Sequence, residues 1–301
     1  MTHAASLTNG ASVALGAVQF GLDYGISNPS GRTMPAEVAR ILKAAWGYGI
    51  GILDTSAVYG ESESVLGQVM APSEDFKIIT KTPVSVQGVN VRLQVRQSFK
   101  RSLERLRQDR IYGLLAHHCD DLLANDGNLF YGALRELREE GAVSKIGVSV
   151  YLPEQVEKVL ERFQIDIIQL PLSIFDQRMY TSGMIDRLAS AGVEVHVRSC
   201  FLQGVLLMPP ADLPENLRPL EKKLTMFQNS TSECGLSPLA GALAFVRHCV
   251  GVDTVVVGVC SEVQLDEIAA AAQVFPPSGL LTEALAVNDP ELIDPRNWSP
   301  C

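Results

Sequence analysis

Four residues in this sequence are of types that together could move a proton: Asp54, Tyr59, Lys81 and His117. The apolar run Ile50-Gly51-Ile52-Leu53 stops abruptly at Asp54, and Tyr59-Gly60 follows a short way on. A carboxylate that closes a buried strand is costly unless it is paired. Lys81, at the end of the next apolar run, is the candidate partner. An ammonium near a phenol favours the phenolate and brings its pKa down from about 10. Tyr59 could then donate or accept a proton near neutral pH, and His117 could hydrogen-bond a substrate carbonyl. Plainer readings exist for each residue alone. Asp54 and Lys81 could be a structural ion pair, and Tyr59 a packing residue. A metal held by His117 and His118 is disfavoured, because strand neighbours point to opposite faces.

The elements that must position these groups alternate along the chain. Apolar strands are expected at Val13–Phe20, Ile50–Asp54, Phe76–Thr80, Ile111–Ala116, Lys145–Val150, Ile165–Leu170, Val193–Val197 and Asp253–Val257. Between them lie helical patterns. Pro35 opens one that closes at Gly49, Asn90 caps another, and one runs to Gly141. Others are expected at Glu61–Met70, from Pro153, near 180–190, from Ser237-Pro238 and from Ser261. Continuous Val/Ile/Leu strands with intervening helices fit a parallel sheet covered by helices. Eight such units in 301 residues predict an α/β fold of the (β/α)8 TIM-barrel type as one domain spanning 1–301. Strands seven and eight are separated by about 55 residues, which predicts an insertion at the barrel mouth near 201–235. A Pro-rich, irregular tail is expected near 275–301. In such barrels the functional groups sit where strands end, so Asp54, Lys81, His117 and the loop residue Tyr59 would converge.

Composition narrows the class. Hydrophobic residues make up 47% and charged ones 20%, as in ordinary soluble domains. The net charge of −9 disfavours a nucleic-acid or anionic-membrane partner. Arg92, Arg96, Lys100, Arg101 and Arg105 read as a solvated helix face. No apolar run approaches the roughly 20 residues of a membrane span, and no signal peptide is evident, so a cytoplasmic location is the default. The six cysteines lack CxxC spacing, which argues against a disulfide framework and a structural zinc site. Cys119 and Cys200, beside the presumed site, read as buried packing.

The stretch Asp54-Thr-Ser-Ala-Val-Tyr59-Gly60-Glu-Ser-Glu63, the pair Thr80-Lys81 and the strand end Leu114-Leu-Ala-His117 resemble the aldo-keto reductase superfamily. The resemblance runs from Leu15-Gly16 to near Ala271. It implies a barrel that binds NADP(H), with NAD(H) possible, without a Rossmann domain, and a small-molecule carbonyl substrate. It implies Tyr59 as general acid, Lys81 and Asp54 as its tuning pair, and His117 as the residue that orients the carbonyl. It implies that Ser149 and Gln169 hold the nicotinamide amide, and that Ser199, Leu202 and Gly204 line the ribose and pyrophosphate. Gln19 and Phe20 match more weakly, at the nicotinamide and substrate end. Gly258, Ser261 and Gln264 fall where the family meets the adenosine end. Gly258 and Gln264 stand where the family often has a lysine and an arginine against a 2′-phosphate, which weakens the NADP preference. Val150 replaces a frequent asparagine, which removes one amide contact. Ser261 with Gln264 also reads as a capping box.

The resulting expectation is hydride transfer from a nicotinamide to an aldehyde or ketone. A cofactor-binding regulatory subunit on the same scaffold is the alternative. A lyase using Lys81 as a Schiff base is disfavoured, because a lysine paired with a buried acid is a poor nucleophile.

Overall fold

The computed structural model describes residues 10–86, 88–276 and 283–298. The expectations for the N-terminal nine residues, and for 277–282 and 299–301 of the tail, lie outside the described residues.

Eight parallel strands close into a barrel in sequence order. They are β1 (Ser12–Gly16), β2 (Ile52–Asp54), β3 (Lys77–Thr82), β4 (Ile111–Ala116), β5 (Val143–Ser149), β6 (Ile167–Pro171), β7 (Glu194–Arg198) and β8 (Thr254–Gly258). Helices cover the outside: α1 (Pro35–Gly47), α2 (Ser62–Val69), α3 (Val91–Leu106), α4 (Cys119–Leu123), α5 (Gly127–Glu139), α6 (Pro153–Arg162), α7 (Arg178–Thr181), α8 (Met184–Ser190), α9 (Glu221–Glu233), α10 (Pro238–Arg247), α11 (Glu262–Ala271) and α12 (Pro290–Ile293). No described helix is long and apolar enough to cross a membrane.

Several expected elements differ in detail. β1 stops at Gly16, and Val18–Phe20 forms a 3-10 turn. Phe20 is fully buried in the core and does not line the cleft described below. The helix expected to run to Gly141 is two helices, α4 and α5, and Gly183, with φ 73°, separates α7 from α8. The 201–235 insertion consists of three 3-10 turns and α9. The tail packs against the same side: Lys223 on α9 donates to the carbonyls of Ala284 and Ala286, and Val287 N–H donates to Phe175. The basic face of α3 bonds to its neighbours. Arg92 reaches Glu136 and Arg96 reaches Glu140 on α5, while Arg105 reaches Glu63 on α2.

Strand alternation and the register order the interior into layers. Lys81 pairs with Leu115, Ser149 with Gln169, and Pro171 with Arg198. One inward-facing set therefore supplies an apolar middle layer, Ile79, Leu115 and Ile167. Toward the strand C-termini the same set supplies Asp54, Lys81, His117, Ser149, Gln169 and Arg198. Toward the N-termini it supplies Lys145, Glu194 and His196.

That lower group is a half-buried polar floor in which His196 alone is fully buried. Glu194 accepts from Tyr112 Oη at 2.8 Å and from Lys145, and bonds His196 Nε2 at 2.7 Å. Burial alone would raise the Glu194 pKa. Hydrogen bonds from His196, Lys145 and Tyr112 outweigh it and bring the carboxyl down to about 2. The carboxylate form thus stabilises the fold above the ordinary carboxyl range, and that stabilisation fades as pH falls toward 2. Glu194→Gln should lower the melting temperature at pH 7. The gap between wild type and variant should close between about pH 4.5 and pH 2, as followed by circular dichroism. A pH-independent gap would contradict this role.

Candidate active site

The barrel mouth opens into a cleft of about 520 Å³, lined by Gln19, Tyr24, Asp54, Tyr59, His117, Ser149, Tyr151, Gln169 and Arg198 among others. Such a volume lies within the usual range for small-molecule sites, about 300–1,000 Å³.

Asp54 ends β2 and is buried. Its Oδ1 accepts from Lys81 Nζ at 2.6 Å and its Oδ2 from Gln169 Nε2 at 2.8 Å. Lys81 lies inside β3 rather than beyond it, and also donates to the Thr55 carbonyl at 2.9 Å. Both carboxylate oxygens and two ammonium protons are thus spent inside the protein. Lys81 does not line the cleft; it sits behind Tyr59, its Nζ 5.1 Å from the ring centroid. Burial pushes the ammonium pKa down, and the Asp54 charge and hydrogen bond oppose that shift.

Tyr59 stands on the loop between β2 and α2, half-buried. Its place is set by backbone packing. Gly60 adopts φ 52°, and a Cβ on Gly21 would fall 1.8 Å from the Tyr59 carbonyl oxygen. No side chain fits between these two loops, so glycine at position 21 lets the loop after β1 brace the tyrosine from below. Ser62 adds a second tie, donating from Oγ to the Ala17 carbonyl at 2.7 Å.

The expected lowering of the Tyr59 pKa is not what the surroundings produce. Burial and the negative charge of Asp54 raise the phenol above its ordinary value, and Arg198 only partly opposes them. Lys81 is neutralised by Asp54 and faces the ring, so its field does not act on the hydroxyl as an isolated ammonium would. Tyr59 is a protonated phenol across the neutral range.

His117, just beyond β4, meets the Tyr59 ring edge-on with centroids 5.7 Å apart. Its Nδ1 is 3.2 Å from Ser56 Oγ. Burial, and then the positive charges of Lys81, His118 and Arg198, push its pKa down to about 3, so the imidazole is neutral at physiological pH. His118 is exposed. Ser56 lies within the Asp54–Glu63 stretch but carries no signal of its contact with His117 in the sequence. Its hydroxyl matters only once folding brings it to His117.

The remaining expected residues divide. Ser149, Gln169, Ser199, Gly204, Gly258, Ser261 and Gln264 line the cleft. Leu202 does not; its side chain is fully buried in the core, with Phe201 and Gln203 on the cleft wall either side of it. The segment is strongly bent, with φ of 65° at Ser199, 49° at Leu202, 52° at Gln203 and 94° at Gly204. Gln203 Nε2 donates to Tyr24 Oη at 3.2 Å, which joins this segment to the loop after β1 across the cleft. The capping box is displaced by one residue. Ser261 Oγ accepts from Gln264 N at 3.2 Å as expected, but Gln264 Oε1 accepts from Cys260 N at 2.7 Å instead of from Ser261. Gly258 makes room for Gln19, whose amide nitrogen would lie 2.3 Å from a Cβ there. The Gln19 Oε1 is buried with no hydrogen-bond partner among the described residues. Burial raises the thiols of Cys119, to about 12, and of Cys200, which suits packing rather than redox chemistry.

A (β/α)8 barrel with an acid, a lysine, a tyrosine and a histidine gathered at its C-terminal mouth defines a class of protein, and the comparisons place the chain within it. Residues 12–278 match the model of the aldo/keto reductase family, and the chain belongs to that family. It is 31% identical over 144 residues to an aldo-keto reductase of Mycolicibacterium paratuberculosis (strain ATCC BAA-968 / K-10), covering 46% of this chain and 47% of that protein. The match thus spans about half the length of that curated relative. It is 24% identical over 252 residues to the oxidoreductase sirO of Leptosphaeria maculans, covering 73% and 75% of the two chains. The holo form of aldo-keto reductase AKR11C1 from Bacillus halodurans shares the fold, with a TM-score of 0.73 at 22% identity over 95% of this chain and 94% of that one.

The Gly21 contact yields a direct expectation. Gly21→Ala should lower the melting temperature by several degrees, since overpacking costs about 1–3 kcal/mol. It should also reduce whatever turnover depends on Tyr59. Gly47→Ala, where a Cβ meets nothing within 4 Å, is the control. Equal melting temperatures for the two variants would contradict the bracing role.

Proposed function

We propose that this protein is a nicotinamide-dependent reductase of an aldehyde or ketone in which Tyr59 is the proton donor. The observation that carries the reading is the arrangement around Asp54. Lys81 and Gln169 lock its two oxygens, and Tyr59 and His117 lie edge to face at the cleft wall in front of it.

The cleft fits the coenzyme the family implies. Ser149 Oγ has no hydrogen bond among the described residues although Ser149 is buried, and Gln169 Oε1 is likewise unspent. They would hold an amide. Gln19, with its orphaned Oε1, and the bent Ser199–Gly204 segment would hold polar groups further along the cleft. Ser261 and Gln264 would meet the adenosine end. Among the residues lining the cleft there, Glu267 is acidic and none is basic, so NAD(H) is accommodated as readily as NADP(H). Bound, the nicotinamide supplies hydride to the carbonyl carbon.

The chain's own residues do the rest. With Ser56 donating to Nδ1, the neutral His117 carries its proton on Nε2, free to donate to the carbonyl oxygen and orient it. Tyr59 then gives its phenolic proton to the same oxygen as negative charge develops there. Asp54 keeps the Lys81 ammonium behind the ring charged, and the pair together seats the Tyr59 ring at the cleft wall. A small-molecule carbonyl partner and a cytoplasmic location fit this reading.

Tyr59→Phe should retain coenzyme binding, read by fluorescence titration, and lose about 10²–10⁴-fold in turnover. Because the phenol lies above its ordinary pKa and His117 far below its own, reduction by the wild type should be flat from about pH 6 to 9. Near-full turnover in the variant, or a limb near pH 6.5 in the profile, would count against the assignment.

A further inference from the structure

Arg198 ends β7 inside the inward-facing set, half-buried, and is the one Lys or Arg among the described residues that line the cleft. It makes no ion pair there. The other inward cation, Lys81, is spent on Asp54. Among the described arginines of the mouth and tail, Arg178 is paired with Asp176 and Arg296 with Asp294. In a protein with 34 carboxylates and a net charge of −9, a partly desolvated guanidinium facing a catalytic cleft without a counter-ion needs an explanation.

Its geometry is held rather than mobile. Nη2 donates to the Val150 carbonyl at 3.0 Å, and Nη1 approaches Ser199 Oγ at 3.5 Å. The guanidinium lies 4.0 Å from the centroid of the Tyr151 ring, and Arg296 of the tail lies 3.5 Å from the same centroid. Arg296 is in turn held by Asp294, so the tail fixes Tyr151 and Tyr151 fixes Arg198. A guanidinium carries five N–H donors, and these contacts use at most two. Its charge reaches the proton-transfer groups, contributing to the low pKa of His117 and opposing the rise at Tyr59.

We infer that Arg198 is a substrate-recognition residue, and that the carbonyl compound reduced here carries an oxyanion, a carboxylate or a phosphate, which the free edge of its guanidinium binds. Planar guanidinium donors match either group bidentately, and hydrogen bonds to charged groups are stronger than those between neutral groups. The inference rests on the reductase reading of the site and names the substrate class for it.

The test compares matched carbonyls differing only in charge: 4-oxobutanoate against butanal for the carboxylate, and glyceraldehyde 3-phosphate against glyceraldehyde for the phosphate. The wild type should prefer one anionic partner at least tenfold in kcat/KM, and the pair that shows the preference identifies the oxyanion. In Arg198→Gln that preference should fall by about 10–100-fold, mainly through KM, and Arg198→Lys should restore part of it. Coenzyme affinity, measured separately by fluorescence, should change far less. No preference in the wild type, an equal loss for charged and neutral substrates, or a matching loss of coenzyme affinity would overturn the inference. Calorimetry of succinate and inorganic phosphate binding to the coenzyme-loaded protein separates the two readings. Absence of turnover with every carbonyl, alongside oxyanion binding that Arg198→Gln abolishes, would sink the reductase reading and leave the anion site standing. Absence of both would sink the two together.

Discussion

The buried pair of Asp54 and Lys81 is the constraint on which the mouth of this barrel depends. Two opposite charges are held 2.6 Å apart, each almost wholly removed from water. Such a pair contributes little net stability against apolar residues of the same volume, but breaking one half leaves a naked charge and costs about 3–5 kcal/mol. Its retention therefore points to what it organises. Gln169 takes the second Asp54 oxygen and Thr55 the second Lys81 proton, so strands β2, β3 and β6 meet at one carboxylate. Tyr59 rests against the face of that assembly.

Around the pair, electrostatics and packing keep two groups neutral that would otherwise titrate nearer to physiological pH. Burial raises the Tyr59 phenol, and burial with neighbouring cations lowers the His117 imidazole. One is held as a protonated phenol and the other as a neutral imidazole. Glu194, His196, Lys145 and Tyr112 form a second polar cluster at the opposite end, separated from the first by the Ile79, Leu115 and Ile167 layer.

The barrel and the convergence of Asp54, Lys81, Tyr59 and His117 were legible because both follow from periodicity and from where apolar runs end. Ser149, Gln169, Gly258 and Gln264 were reached through family resemblance, and all four line the cleft. What stayed hidden depends on three-dimensional neighbours. The direction of the Tyr59 pKa shift follows from burial and then from the Asp54 charge, which spacing alone does not reveal. Leu202 and Phe20 turn into the core because positive-φ and 3-10 geometry rotates them away from the cleft. Nothing in the sequence marks Arg198, because its place at the cleft without an ion-pair partner is a property of the fold.

Asp54 and Lys81 act as one unit beneath Tyr59. Thermal unfolding of Asp54→Asn, Lys81→Met and the double variant, each against wild type, tests it most directly. The expected result is that each single variant loses about 3–5 kcal/mol and that the double variant loses clearly less than their sum, because removing both charges relieves the burial of either. Strictly additive losses would contradict it.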